Sequence, residues 1–199
     1  MSGLRIGVLG GSFNPAHEGH LHITKLALDR LKLHQVWWMV SPQNPLKTAD
    51  DMAPFTDRMA SAEGLAQGHS RIAVTDIEVR LNTRYTSDTL RALLTTYPRS
   101  QFIWLMGADN LKQIPEWEKW ISIFQMVPIA VFDRATYSYQ ALASKAAYRF
   151  RHCRVQARNA STIFNRRPPA WVYFHTPLHP ASSTELRARQ KVKPEGAAE

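Results

Sequence analysis

The chain has 199 residues, so one domain is expected, long enough to bury a sizeable core. At 44% hydrophobic and 21% charged it has an ordinary globular composition, and no apolar run approaches the ~18 residues of a membrane span. The single cysteine, Cys153, excludes an internal disulfide, and "MSGLRIGVLGGSF" lacks a signal-peptide cleavage pattern, so a cytoplasmic protein is expected. The net charge of +9 is uneven: residues 1–139 carry 14 Lys/Arg against 13 Asp/Glu, whereas 140–193 carry 11 against one acid, Glu185. Such a block can hold nucleic acid, acidic lipid or phosphorylated small molecules, or simply form a solvated face. No RNA-binding signature, zinc finger or basic zipper accompanies it.

In chain order, Leu4–Leu9 reads as a short strand ending at Gly10-Gly11. Apolar positions Leu21, Ile23, Leu26, Ala27, Leu28 and Leu31 recur at helical spacing and predict a helix from Ala16 to Leu31. Gln35–Val40 predicts a second strand, cut off by Pro42 and Pro45. A helix is expected over Phe55–Gln67, a strand over Arg71–Val79 and a helix over Tyr85–Tyr97, ended by Pro98. Further strands are expected at Gln101–Gly107, Pro128–Arg134 and Trp171–His175, with a helix from Ser182. Residues 135–170 are the least readable, with one basic helix (Ser138–Phe150) and an irregular loop around "NRRPP". One domain over 1–193 and a disordered tail over 194–199 are expected.

Strands alternate with helices, and the strands are near-continuous apolar runs. That predicts an α/β fold: a doubly wound, mostly parallel sheet with helices on both faces and a small C-terminal helical part.

In such a sheet ligands sit beyond the carboxyl ends of the strands. The loop after the first strand, Gly10-Gly11-Ser12-Phe13, combines a tight backbone with the start of a helix, a natural anion site. It matches neither G-x-x-x-x-G-K-[ST] nor G-x-G-x-x-G. His17 and His20, three apart on a helix, share a face beside that loop, with Gly19 leaving room between them. Two ring N–H donors there suit phosphate oxygens. A zinc site with His22 is the alternative, but His22 points elsewhere and no third ligand is near in the sequence. "SSTE", Ser182–Glu185, has the pattern of a capping box.

"GGSFNPAHEGH" resembles the H-x-G-H signature of the nucleotidyltransferase superfamily, in the form typical of bacterial nicotinate-mononucleotide adenylyltransferases. "SPQNPLK", "RYTSDTL", "GADNLKQIPEWEKW" and "SSTELR" resemble further segments of that family, in order, over roughly residues 5–190. Asn14 stands where the family usually has Asp, and Ala181 where Ile is common. The resemblance implies adenylyl transfer from ATP to nicotinate mononucleotide, with Mg²⁺ carried on ATP and no dedicated metal residues.

It also implies roles. Gly10, Gly11, Ser12 and Phe13 would lie against ATP with their backbone, and His17 and His20 would donate to the triphosphate. Gly107 and Asp109 would meet the adenosine, and Ser183, Thr184 and Arg187 would hold phosphate. On the acceptor, Thr86 would offer a backbone N–H to the nicotinate carboxylate, Trp117 would stack on the ring, and Lys47 and Arg134 would contact phosphate. Each has a plainer reading: Trp117 and Trp120 as core, Asp109 as a helix cap, Lys47 and Arg134 as solvated charges. Other functions stay open at this level: transfer to nicotinamide mononucleotide or phosphopantetheine, or a basic nucleic-acid-binding module. Oligomeric state is not legible.

Overall fold

The computed structural model describes residues 3–43, 52–133 and 138–175. Lys47, Arg134, Ser183, Thr184 and Arg187, the helix expected from Ser182 and the tail lie outside the described residues. The described elements are strands β1 (Arg5–Gly11), β2 (Gln35–Val40), β3 (Ile72–Thr75), β4 (Gln101–Gly107), β5 (Ile129–Phe132), β6 (Arg154–Val155) and β7 (Trp171–Phe174). The helices are α1 (Glu18–Arg30), α2 (Phe55–Ala66), α3 (Ile77–Arg80), α4 (Thr86–Thr96), α5 (Ala108–Gln113), α6 (Trp120–Met126), α7 (Ser138–Leu142) and α8 (Lys145–Arg149). The strands form a single sheet in the order β3-β2-β1-β4-β5-β7-β6, and every pairing in it is parallel. This is the expected doubly wound α/β sheet.

Strand periodicity sorts the core into two layers. Ile6 and Val8 of β1, Phe102, Trp104 and Met106 of β4, and Trp171 and Tyr173 of β7 face one layer, closed by Leu90 and Leu93 of α4 and by α5 to α8. Val36, Trp38 and Val40 of β2, Ile103 and Leu105 of β4, and Val172 and Phe174 of β7 face the other, closed by Leu21, Ala27 and Leu28 of α1 and Ala62 of α2. Leu90 and Leu93 are fully buried, so truncating either to Ala is a loss of about 2–5 kcal/mol.

Several expectations are corrected. β1 runs through both glycines rather than ending before them, because its ladder with β2 continues as Gly10↔Met39 and Gly11↔Val40. The strand expected over Arg71–Val79 stops at Thr75. Residues 77–80 turn into α3, where the Arg80 guanidinium pairs with Asp76 one turn back at 2.9 Å. The apolar alternation of "DIEV" is therefore the buried side of one helical turn, with Ile77 and Glu78 inside. The basic helix expected over Ser138–Phe150 is two short helices, broken where Ser144 caps α8 by accepting from the Ala147 N–H. The "NRRPP" stretch follows a 3-10 segment, Ala157–Asn165, whose Ala160 and Ile163 cover the sheet.

β1 and β4 are neighbours, and the chain leaves them toward opposite sides of the sheet: α1 packs in one layer, α5 in the other. Their carboxyl ends form the topological switch point, the place where sheets of this kind bind their ligands. Gly10-Gly11 ends one strand there and Gly107 the other.

Candidate functional site

The site is built on the turn from β1 to α1. Phe13 takes a left-handed conformation, φ 46°, which reverses the chain and tucks its ring into the core at 2% exposure. That ring stacks on His20 at 4.6 Å and on Trp38 at 5.4 Å. Phe13 therefore commits its side chain to packing and leaves only its backbone for a ligand. Gly10 faces the opposite layer, and a Cβ on it would collide with the Trp104 ring. This glycine is required by close approach of an indole.

His17 is the N-cap of α1 rather than a residue of its first turn, with φ −153° and ψ 166°. Its Nδ1 accepts from the Gly19 N–H at 3.1 Å, and its own N–H donates to Nδ1 of His20 at 3.1 Å. The two histidines thus form a reciprocal capping box, a role usually filled by Ser/Thr and Glu/Gln. The rings still converge as expected, centroids 3.9 Å apart, but through the cap rather than through two helical positions. The chemical consequence follows from valence. With Nδ1 accepting, a neutral imidazole carries its hydrogen on Nε2. Both rings are therefore held in the tautomer that presents an N–H on the side away from the backbone.

Across the switch point, Gly107 is the N-cap of α5 with an extended backbone, and Asp109 lies in that helix's first turn. The cap is therefore not Asp109 itself. Thr86 is the first residue of α4, so its N–H has no carbonyl of its own helix within reach. Trp117 is half-buried and meets Trp104 edge-on at 6.3 Å, which places it one ring beyond Gly10. Trp120 belongs instead to an aromatic core group with Phe124 and Phe150. Among the described residues no group of three or more His, Cys, Asp or Glu could hold a metal ion.

A family described as cytidylyltransferase-like matches residues 8–189. The chain belongs to that family. Its curated relatives include proteins named "probable nicotinate-nucleotide adenylyltransferase" from Parvibaculum lavamentivorans, 50% identical over 94% of this chain and 92% of theirs, and from a Caulobacter species, 48% identical over 94% and 98%. Within the family, therefore, the chain belongs with the nicotinate-nucleotide adenylyltransferases and is a nucleotidyltransferase. The fold is shared with solved structures of Plasmodium falciparum nicotinic acid mononucleotide adenylyltransferase. These were complexed with APC (TM-score 0.68, 16% identity) and with NaAD (TM-score 0.70, 17% identity), each over 93% of this chain and 83% of that one.

Three buried polar groups past the carboxyl ends of the strands escape a reading of the sequence. Arg58 of α2 is 2% exposed and donates to four backbone carbonyls, three just past the β1 and β2 ends and one just before α2. The available signal was its place in the buried stripe Arg58, Ala62, Ala66, a charge on an apolar face. Glu78 is buried, and burial pushes its carboxyl pKa up, opposed by hydrogen bonds from Ser41 and Thr89. Asp133, just past β5, accepts from Ser138 Oγ and from the Tyr173 hydroxyl at 2.9 Å, and faces His175 Nδ1 at 3.5 Å. Burial, then the Asp133 bond, pushes the Tyr173 hydroxyl well above its ordinary range. These groups come from segments far apart in sequence, so spacing carries no trace of them.

Proposed function

We propose that this chain transfers the adenylyl group of ATP to nicotinate mononucleotide, giving nicotinate adenine dinucleotide and pyrophosphate. The observation that carries the reading is the His17–His20 pair, whose Nδ1 atoms are both occupied by backbone N–H groups at the switch point of the sheet. An oxygen of the acceptor's 5′-phosphate attacks the α-phosphorus of ATP in line. The bond from that phosphorus to the bridging oxygen breaks, and the electron pair leaves with pyrophosphate. No protein nucleophile is needed. The protein aligns two polyanions and stabilises the charge that develops on the transferring group.

On this reading the Nε2–H groups of His17 and His20 donate to the triphosphate, and the backbone of Gly10, Gly11, Ser12 and Phe13 lies along it. Gly107 and Asp109 meet the adenosine. Thr86 N–H reads the acceptor's carboxylate, and Trp117 stacks on the pyridine ring. Lys47, Arg134, Ser183, Thr184 and Arg187 supply further phosphate contacts. Mg²⁺ carried on ATP would offset part of the triphosphate charge.

The test is pyrophosphate release from ATP and Mg²⁺ with nicotinate mononucleotide, nicotinamide mononucleotide or phosphopantetheine as acceptor. The acid is expected to show the highest kcat/KM, because a backbone donor reads its carboxylate. Equal kcat/KM for acid and amide removes the assigned role of Thr86, and no release with any acceptor removes the function.

A further inference from the structure

We propose that Arg58 is a positioning residue of the nucleotide site, holding the turn after β1 in shape while contributing a buried positive charge behind it. The inference rests on the adenylyl-transfer reading above. The guanidinium sits where three segments meet. One terminal nitrogen donates to Ser12 O at 2.8 Å and to Ser41 O at 2.7 Å, the other to Pro42 O at 2.7 Å, and Nε to Ala53 O at 3.0 Å. The carbonyls come from the β1–α1 turn, from the exit of β2 and from the approach to α2. A planar fork can satisfy that set together, whereas a single ammonium cannot. The Phe55 ring closes the site 5.4 Å from the guanidinium carbon.

The geometry bears on the ligand face of the turn. In a trans peptide the C=O and the next N–H point in opposite directions. By drawing Ser12 O inward, Arg58 turns the Phe13 N–H away from itself. Phe13 is also the residue in the left-handed conformation, and its ring supports His20. Fixing the Ser12 carbonyl therefore fixes the turn that carries one of the two histidines.

The charge is the second part. The partners of Arg58 are all neutral carbonyls, and no ion pair joins it to an acid among the described residues. Burial pushes its pKa down from the ordinary value. A buried cation without a carboxylate is costly unless something offsets it. The neighbouring Asn14 Oδ1 accepts from the Ala53 N–H at 3.2 Å, so the residue beside the guanidinium is an amide and adds no negative charge. Among the described residues no acid is bonded to Arg58, so its field acts on the turn. It favours polyanionic ligands, here the triphosphate.

The experiment compares wild type, Arg58→Lys and Arg58→Ala at a temperature where circular dichroism shows each folded. Lys keeps the charge and loses the fork; Ala loses both. Arg58→Lys is expected to lower kcat by about 10–100-fold, the cost of a misaligned turn, with the ATP Kd from calorimetry about unchanged. Arg58→Ala is expected to weaken ATP binding about tenfold as well, more at low than at high salt. Low millimolar guanidinium restores part of its kcat, whereas methylammonium does not. Wild-type kcat in Arg58→Lys overturns the positioning role, and wild-type ATP affinity in Arg58→Ala overturns the electrostatic one. If Arg58→Ala does not fold, Arg58→Lys decides for positioning, and Arg58→Gln, which keeps an amide donor and loses the charge, decides for charge by weakening ATP binding or leaving it unchanged. If wild type itself releases no pyrophosphate, the adenylyl-transfer reading fails, while the ATP affinities still judge the charge.

Discussion

His17 does two jobs that one pair of substitutions can separate. Its Nδ1 caps α1 through the Gly19 N–H, and its Nε2–H is assigned to the triphosphate. His17→Ala removes one side-chain-to-backbone hydrogen bond, a net loss of about 0.5–1.5 kcal/mol. For a chain of this size that lowers Tm by about 2–4 °C per kcal/mol. His17→Asp restores the cap, since Asp is among the best N-cap residues and its charge suits a helix N-terminus. Yet it replaces a donor with an acceptor facing a polyanion. Loss of a transition-state donor lowers kcat by ~10²–10³ in the Ala variant, and repulsion lowers it further in the Asp variant. The expected orders therefore cross. Tm ranks Asp at or near wild type and Ala below, while kcat ranks wild type first, then Ala, then Asp. Thermal melts and pyrophosphate release measure both on the same preparations. If kcat follows Tm, with Asp rescuing Ala, the imidazole acts only as a cap and the chemical assignment is wrong.

The two glycines of the turn make different demands. Gly10→Ala drives a Cβ into the Trp104 ring and is expected to lower stability by about 1–3 kcal/mol, whereas the Cβ of Gly11→Ala meets Phe13 at an ordinary 3.6 Å and leaves Tm nearly unchanged. A raised KM for ATP in Gly11→Ala, with normal Tm, is the signature of backbone lying against the nucleotide; an unchanged KM removes that contact. Glu78 predicts a pH slope: its folded pKa is raised, so the folded state holds the proton more tightly, and stability falls as pH rises from the ordinary value of 4.5 toward the folded one. Glu78→Gln should flatten that part of a Tm–pH curve, and a parallel curve would show the carboxyl is not the cause. Trp38 Nε1 donates to the buried Thr24 hydroxyl at 2.7 Å, while Trp104 Nε1 has no partner among the described residues. Trp38→Phe is therefore expected to cost about 1–3 kcal/mol more than Trp104→Phe in denaturant unfolding, because only the former orphans a buried group, and equal costs would contradict this.

What was legible in the sequence follows from the range of the interactions involved. β4 is read to the residue because residues 102–106 form an unbroken apolar run, and β-strands buried on both faces need nothing else. The glycine turn and the histidine pair are local, so they too can be read directly. α3 was missed because Ile77, Glu78 and Val79 continue the alternation of β3, and four residues are too few for a helical period to show. α5 and α6 are not legible for a related reason: each is too short to show a clear helical period. Arg58 and Glu78 could not be placed, since each acts on carbonyls or hydroxyls of other segments. Ser41 lies between them, offering its carbonyl to the arginine and its hydroxyl to the acid.

The residues around the turn divide between folding and ligand. Asp, Asn and Ser are the preferred N-caps, so His17 before α1 gives up helix stability at a position whose Nε2–H is assigned to the triphosphate. Asn14 tethers the turn to Ala53 through its amide oxygen, an acceptor that an Asp in the same place would also supply. Arg58 is held by four backbone carbonyls, and among the described residues no carboxylate is bonded to it, so its charge stays available to a polyanion on the other side of the turn. Glu18, the acid in the first turn of α1, is exposed, where solvent and salt screen it. The imidazole at the cap is thus the choice that folding alone does not explain, and the ligand does.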